Sequence, residues 1–534
     1  MVLEPDSLQV EPTGLEPTVS KTLSFQIAPE MLQGVAMSEC LKWWGKHWAD
    51  SNHQHTVTRR IQQVHKYDNF ISHDWGTSRW LKLAALLVVF NSQAAAAASL
   101  LVSLLVGVLR ISSVLPNHIW TAFAGHIAFV AVLCFWQRLR ELVRRPRIVF
   151  LDKLCISQED EALKEQGILS LPGFLDQSEE LTILWSGKYL TRLWCTYELI
   201  SFLQNPQKRK SVHVIPVKLC LLICLMSVAW HCMAAGYYIA YREIDAGART
   251  SIDARFLFQS VAVLILPLQN YVSLGLLAEI QELPQQVRSF SIRAAECACC
   301  SDGHVHPKTG RSIICDRKLV FEVLGLWYGK DGATESEVLR YFDSLVQKQE
   351  ITDILSGVQG SLVPFRYAFY MVATANVPFL SDYMAVLAAG PEPSLAGTDL
   401  MIWGTRLIFD WLNFFLVIML AVQLSMLIWQ KGTCLKQFSR PCVAILLLPP
   451  MLISVMTWEP YRSTLVRTPP NSLLPLCPFA GLLLINLAFL LPLNRCTFCH
   501  LQPPPKAPAE PAQPAWHVGT EVPDVVMKGD VLSV

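Results

Sequence analysis

Long apolar runs alternate along this chain with polar segments. A membrane-crossing helix needs about 20 mostly apolar residues. Eight runs approach that length: 83–109, 119–136, 219–241, 256–278, 367–389, 407–429, 442–458 and 473–493. The first carries no charge at all, and the 442–458 run is broken by Pro449 and Pro450. The weakest is 367–389, which contains Pro378 and Asp382. Between the first pairs of spans the pattern shortens to strand length, at 67–72 (YDNFIS), 147–152 (RIVFLD), 181–186 (LTILWS) and 212–217 (VHVIPV). Helical stretches at 168–178 and 189–204 separate the later runs. This alternation predicts a parallel sheet with covered faces. The first strand lies upstream of a two-span hairpin that returns the chain to the same side, so all four strands can join one sheet.

The predicted organisation follows from these switches. Residues 1–40 are polar, acidic and proline-bearing, and read as disordered; they lack the basic and apolar stretches of a leader. Residues 41–80 and 138–217 form the α/β domain, interrupted by a membrane hairpin at 81–137. A second hairpin spans 218–279. A Cys/His-containing region follows at 280–365, then further spans at 366–493 and a proline-rich tail at 494–534. Within 37–67 a helix is expected, with Trp43, Trp44 and Trp48 near one face, either in a core or at the membrane interface.

Composition supports an integral membrane protein. Apolar residues make up 52% of the chain and charged residues 16%, which excludes a disordered chain and disfavours an ordinary soluble enzyme. Net charge is +1, so no basic excess points to nucleic acid, and the expected partner surface is membrane lipid. Basic residues concentrate in the segments holding both termini. The cluster Arg138, Arg140, Arg144, Arg145 and Arg147 abuts a span, as do Lys431, Lys436 and Arg440. The positive-inside rule then favours eight spans over seven, with both termini cytosolic.

Candidate chemistry is sparse. The 16 cysteines form no extracellular-looking framework and read as mostly reduced thiols. Cys297, Cys299, Cys300, His304, His306 and Cys315 offer six zinc ligands in an irregular spacing. Juxtamembrane acylation or plain thiols explain the same residues. Cys496, Cys499 and His500 formally match a haem-attachment motif, but palmitoylation fits a cytosolic position better. Asp410 lies in a span four residues after Arg406, the spacing of an interfacial pair. His126 and His231 read as lone polar residues packed in apolar helices.

The block 147–217 resembles the Toll/interleukin-1 receptor (TIR) domain and the related heterokaryon-incompatibility domain. FISHDW (Phe70 to Trp75) looks like the first TIR strand and its loop. FLDKLCISQED (Phe150 to Asp160) is similar to the D-x-x-C-I-x-Q run of the incompatibility domain. SGKYLTRLWCTYEL (Ser186 to Leu199) looks like the S-x-x-Y-x-x-x-x-W-C-x-x-E-L element, the most specific match in the chain. The likeness covers about 80 residues, and a membrane hairpin stands where the first TIR helix would be. The resemblance implies a flavodoxin-like strand order, TIR-type assembly with like domains and, in active members, cleavage of NAD at the nicotinamide–ribose bond. It assigns catalysis to Glu198 of W-x-x-x-E, with Trp194 as an apolar wall four residues earlier. A carboxylate suits this reaction because the departing nicotinamide leaves an oxocarbenium-like ribose. Ser72, His73 and Asp152, at strand ends, would face the same crevice as substrate-binding residues. The blander alternative is a surface Glu198 on an amphipathic helix, with Trp194 in the core.

The fold class expected is therefore an α-helical multi-pass membrane protein with a TIR-like α/β domain threaded between its spans. Its expected function is signalling or self-recognition, with NAD as a substrate. The competing reading is a channel or transporter whose soluble block is structural.

Overall fold

The computed structural model describes residues 27, 29–48, 62–157, 161–203, 208, 211–245, 263, 265–278, 282–305, 310, 312, 315–329, 333–347, 365–391, 395–435 and 437–490. The predicted strands are all present and lie in one sheet. In chain order the strands are β1 (Gln33–Ala36), β2 (Gln62–Gln63), β3 (Tyr67–His73), β4 (Ile148–Phe150), β5 (Ser178–Trp185) and β6 (Val212–Pro216). Their spatial order is β2-β1-β4-β3-β5-β6. Strands β4, β3, β5 and β6 are mutually parallel, whereas β1 runs antiparallel to both β4 and β2. Of the parallel strands, the first in sequence thus sits between the second and third. The chain winds outward in both directions from β3, which places a topological switch point between β3 and β5.

Burial follows position in the sheet. Central β3 is buried almost throughout, as expected of a strand covered on both faces, whereas β6 exposes its first half. Phe70 stacks on Phe150 at 4.8 Å between ring centres, and Phe150 on Phe174 at 4.5 Å. Phe174 belongs to the short Leu171–Asp176 helix, which therefore covers this part of the sheet. After the membrane hairpin the chain is guided back into register by two side-chain bonds. Asp68 accepts from the backbone N–H of Ile148 at 2.6 Å, and Arg147 donates to Asn69 at 2.7 Å.

Among the described residues, six helical segments are long and apolar enough to cross a membrane: Arg79–Ile111, Ile119–Val143, Val217–Ile239, Ala368–Ala389, Gly397–Gly432 and Arg440–Arg467. The protein is thus a multi-pass helical membrane protein. The other two predicted spans coincide with shorter apolar helices, Ile265–Ala278 and Leu476–Phe489, each flanked by residues outside the described set. The first hairpin is pinned by polar side chains. Asn91 donates to the Leu133 carbonyl, and Gln137 donates to the Asn91 side chain, each at 2.8 Å. Small residues allow close packing here: a Cβ on Gly125 would meet Ser103 Oγ at 2.7 Å and Pro378 Cβ at 2.9 Å.

The weakest predicted span is the most enclosed. Ala368–Ala389 passes through a π turn (Ala368–Val372) and a 3-10 stretch (Ala373–Phe379) before becoming α-helical. Pro378 removes a backbone donor, and neighbours satisfy the irregular backbone. Asn376 donates its amide to the Trp411 carbonyl, and the Trp411 indole donates back to the Asn376 carbonyl, at 2.8 and 3.2 Å. Asp382 pairs with Arg110 at 2.5 Å, which explains an acid inside an apolar run.

Several expectations need correction. The segment expected to be disordered up to residue 40 contains β1, and Met37–Leu41 is helical. Gly34 is required there, because a Cβ would lie 2.7 Å from Ile148 Cγ2. Within the described part of the expected 37–67 helix, the α-helix stops at Leu41 and the short turns Lys42–Trp44 and Lys46–Trp48 follow, while residues 49–61 lie outside the described set. Its tryptophans do not share a face: Trp43 and Trp44 are exposed, while Trp48 is buried. Asp410 and Arg406 do not pair. Asp410 accepts from the Tyr383 hydroxyl at 2.8 Å, and Arg406 donates to the carbonyls of Leu465, Pro469 and Ser472. His126 and His231 are not lone residues, since their Nδ1 atoms meet at 2.8 Å.

Candidate functional site at the sheet's carboxyl edge

The parallel strands end together, and polar side chains gather there. Ser72 and His73 close β3, Asp152 follows β4, and Glu198 comes from the Leu193–Leu203 helix that follows β5. That helix (LWCTYELISFL) is apolar around most of its circumference and is correspondingly buried. Glu198 is its single acid and is carried inward with the rest.

Ser72 and Glu198 meet. Ser72 Oγ donates to Glu198 Oε2 at 2.5 Å and shares a 2.6 Å hydrogen bond with the Tyr189 hydroxyl. With the Ser72 proton directed at Glu198, Tyr189 is the donor to Ser72, and its hydroxyl oxygen also lies 3.1 Å from the Cys195 carbonyl. Glu198 is only 8% exposed. Burial pushes its pKa up to about 8, opposed by the Ser72 hydrogen bond and reinforced by the nearby Asp152 carboxylate. The acid is therefore largely neutral at pH 7 and ionises slightly above it. The neighbouring Cys195 thiol is buried and pushed well upward, and donates to the His73 carbonyl at 3.4 Å, so it is no thiolate nucleophile.

His73 and Asp152 form the second half of the site. His73 Nδ1 lies 3.9 Å from Asp152 Oδ1, and the imidazole meets the Trp48 ring edge-on at 4.9 Å. Burial, aided by the cations of Lys82 and Lys153, holds His73 well below the usual imidazole range and hence neutral. Its Nε2 has no hydrogen-bond partner. Asp152 accepts from the Trp75 indole at 2.6 Å. Trp194 is engaged elsewhere: its indole donates to Asp316 at 3.0 Å and its ring meets Tyr197 edge-on.

Four contributors escaped the sequence reading. Lys82, in the first turn of the Arg79–Ile111 helix, is fully buried, lies 5.3 Å from the Trp48 ring centre, and its ammonium has no hydrogen-bond partner. Asp74 is buried against Arg192 at 3.0 Å. Tyr189 and Trp48 complete the enclosure. Tyr189 was visible in the S-x-x-Y element, whereas Lys82 directly precedes the first apolar run and looked like a flanking charge.

The cysteine-rich segment is also gathered. Cys299, Cys300, His304 and Cys315 place one ligand atom each within 4.8 Å of one another, and Cys297, Cys299 and Asp316 form an overlapping group. His306 lies outside the described residues, as do Cys496, Cys499 and His500. The segment abuts the Glu198-bearing helix: Leu193 N–H donates to the Glu296 carbonyl at 3.2 Å, and Arg192 pairs with Glu296 at 2.9 Å.

The chain matches no protein-family model, no curated protein and no solved structure.

Proposed function

We propose that this is a membrane-anchored signalling or self-recognition protein that acts through a TIR-like α/β domain and cleaves NAD at the nicotinamide–ribose bond. The observation that supports the reading most is the position of Glu198: buried, hydrogen-bonded to Ser72, beside the switch point of a parallel sheet. Ligands of open α/β sheets bind outside the carboxyl ends of the strands. In the proposed reaction the C1′–N1 bond breaks and its electron pair neutralises the nicotinamide ring. Ionised Glu198 stabilises the resulting ribosyl cation, and water then bonds to C1′ and gives up a proton. The cationic nicotinamide ring favours the ionised acid, lowering the raised pKa when substrate binds. Neutral His73 and Asp152 would orient the ribose hydroxyls. Like domains of the same or another protein are the proposed partners, and both termini are proposed to face the cytosol.

The test is nicotinamide release from NAD by the purified full-length protein in detergent. Turnover well above a protein-free control supports the reading. No release, under conditions where an active TIR enzyme works, removes the hydrolase part. Orientation is checked separately with protease added to right-side-out sealed vesicles, where tags at residues 1 and 534 should both be protected and a site inserted near residue 248 should be cut.

A further inference from the structure

We propose that Cys299, Cys300, His304 and Cys315 bind one structural zinc ion, which fixes the cysteine-rich segment against the start of the Glu198-bearing helix. This inference stands independently of the NAD reading.

Two sulfur–sulfur distances match a tetrahedral site, and all four ligand atoms lie within 4.8 Å of one another. Zinc–sulfur bonds of about 2.3 Å place two bound sulfurs about 3.8 Å apart. Cys300 Sγ lies 3.8 Å from Cys315 Sγ and 4.0 Å from Cys299 Sγ. These separations are far too long for disulfides, and all of these cysteines are free. His304 supplies the fourth position, and its Nε2 is a buried nitrogen without a hydrogen-bond partner. Three thiols would lose their protons on binding, so three thiolates, one neutral imidazole and Zn²⁺ carry a net single negative charge.

The backbone is shaped for the purpose. Gly303 and His304 adopt positive φ values of 64° and 59°, an unfavourable conformation for histidine. This turn brings the His304 N–H back to the Cys299 carbonyl at 2.8 Å. An antiparallel bridge between Val305 and Ser312 then returns the chain toward Cys315. The Asp316 N–H donates to Cys299 Sγ at 3.2 Å, the outer-shell support that a bound thiolate uses.

The geometry also chooses among the available ligands. Cys297 Sγ is 3.1 Å from Cys299 Sγ, closer than two sulfurs on one zinc, and is assigned as a thiol donating to the Cys299 thiolate. Asp316 is committed to the Trp194 indole. That bond connects the metal site to the Leu193–Leu203 helix, because Asp316 directly follows Cys315.

The experiment is metal analysis of the full-length protein, purified under reducing conditions with any affinity tag removed. The expected content is about one zinc per chain. Cys300→Ser, Cys315→Ser and His304→Ala should each lose it, while Cys297→Ser and His306→Ala keep it. Should the ligand variants fail to fold, cobalt(II) exchanged into the parent protein should give the intense visible absorption of a tetrahedral thiolate site. A parent protein that holds no zinc and takes up neither metal would overturn the proposal. So would zinc retained in the Cys300 and His304 variants, or lost in the His306 variant alone.

Discussion

Two polar clusters lie in apolar surroundings in this protein, and they are built differently. Inside the helical bundle, buried acids have named partners: Asp382 pairs with Arg110, and Asp410 accepts from the neutral Tyr383 hydroxyl. At the carboxyl edge of the sheet, by contrast, ionisable groups crowd together without full compensation. Lys82 has an ammonium without a hydrogen bond, His73 keeps a free Nε2, and Glu198 is held neutral by burial. The Arg110–Asp382 pair offsets charge with charge, the compensation a buried ion pair needs, although Arg110 Nε has no hydrogen-bond partner among the described residues. Uncompensated buried polar groups destabilise the fold, and persist where they serve a ligand or a reaction.

Breaking the bundle pair should have the largest effect on stability. Arg110→Ala removes the ion-pair partner of Asp382 and should cost about 3–5 kcal/mol, read as a lower unfolding temperature in detergent. Combining Arg110→Met with Asp382→Leu should recover most of that loss. If the double variant is no better than the single, the pair is not the structural lock described here.

Lys82 provides the opposite test. Lys82→Met replaces a buried ammonium that faces the Trp48 ring and has no hydrogen bond among the described residues, and should stabilise the fold by about 1–3 kcal/mol. A destabilised Lys82→Met protein would mean that the ammonium is satisfied in solution, and the contrast between the two clusters would weaken.

Ser72 gives a subtler test. Its hydrogen bond favours ionised Glu198, so Ser72→Ala should raise the Glu198 pKa further and slow NAD cleavage at pH 7 by about tenfold. Raising the pH should restore much of that rate. A uniform loss at every pH would instead assign Ser72 to substrate binding. The same acid links stability to pH. Its folded pKa of about 8 lies above the ordinary carboxyl value of 4.5, so its contribution is full at acid pH and is lost as pH rises through 8. Glu198→Gln should therefore flatten the fall in stability between pH 5 and pH 9, measured by thermal unfolding.

The sheet was legible in the sequence because β4 (IVF) and the second half of β5 (LTILW) are short, nearly continuous apolar runs of strand length, the pattern that burial on both faces demands. β1 was not: QGVA is four residues long and contains a glycine, and it becomes a strand by pairing with β4 and β2, which the sequence pattern does not specify. Glu198 and Ser72 were each singled out, but their contact depends on helix rotation and strand register, which periodicity alone does not specify. Trp194 shows the limit of the i, i+4 argument. Residues four apart share a face, yet Trp194 extends to Asp316 while Glu198 extends to Ser72. Likewise, six candidate metal ligands were visible by type, but the gathering of Cys299, Cys300, His304 and Cys315 goes with two left-handed residues and one backbone bridge that the spacing does not specify.

The central claim is that Glu198 is a working acid at the sheet edge, and a paired comparison tests it most directly. Nicotinamide release should be measured for the parent and for Glu198→Gln, across pH 6 to pH 9, on protein with matched unfolding temperatures at low pH. The account predicts that parental kcat/KM rises as the free acid ionises with a pKa of about 8. Glu198→Gln should be slower by about 10²- to 10³-fold at the plateau. Equal activity in both proteins, or a parental profile with no inflection near that pKa, would contradict it.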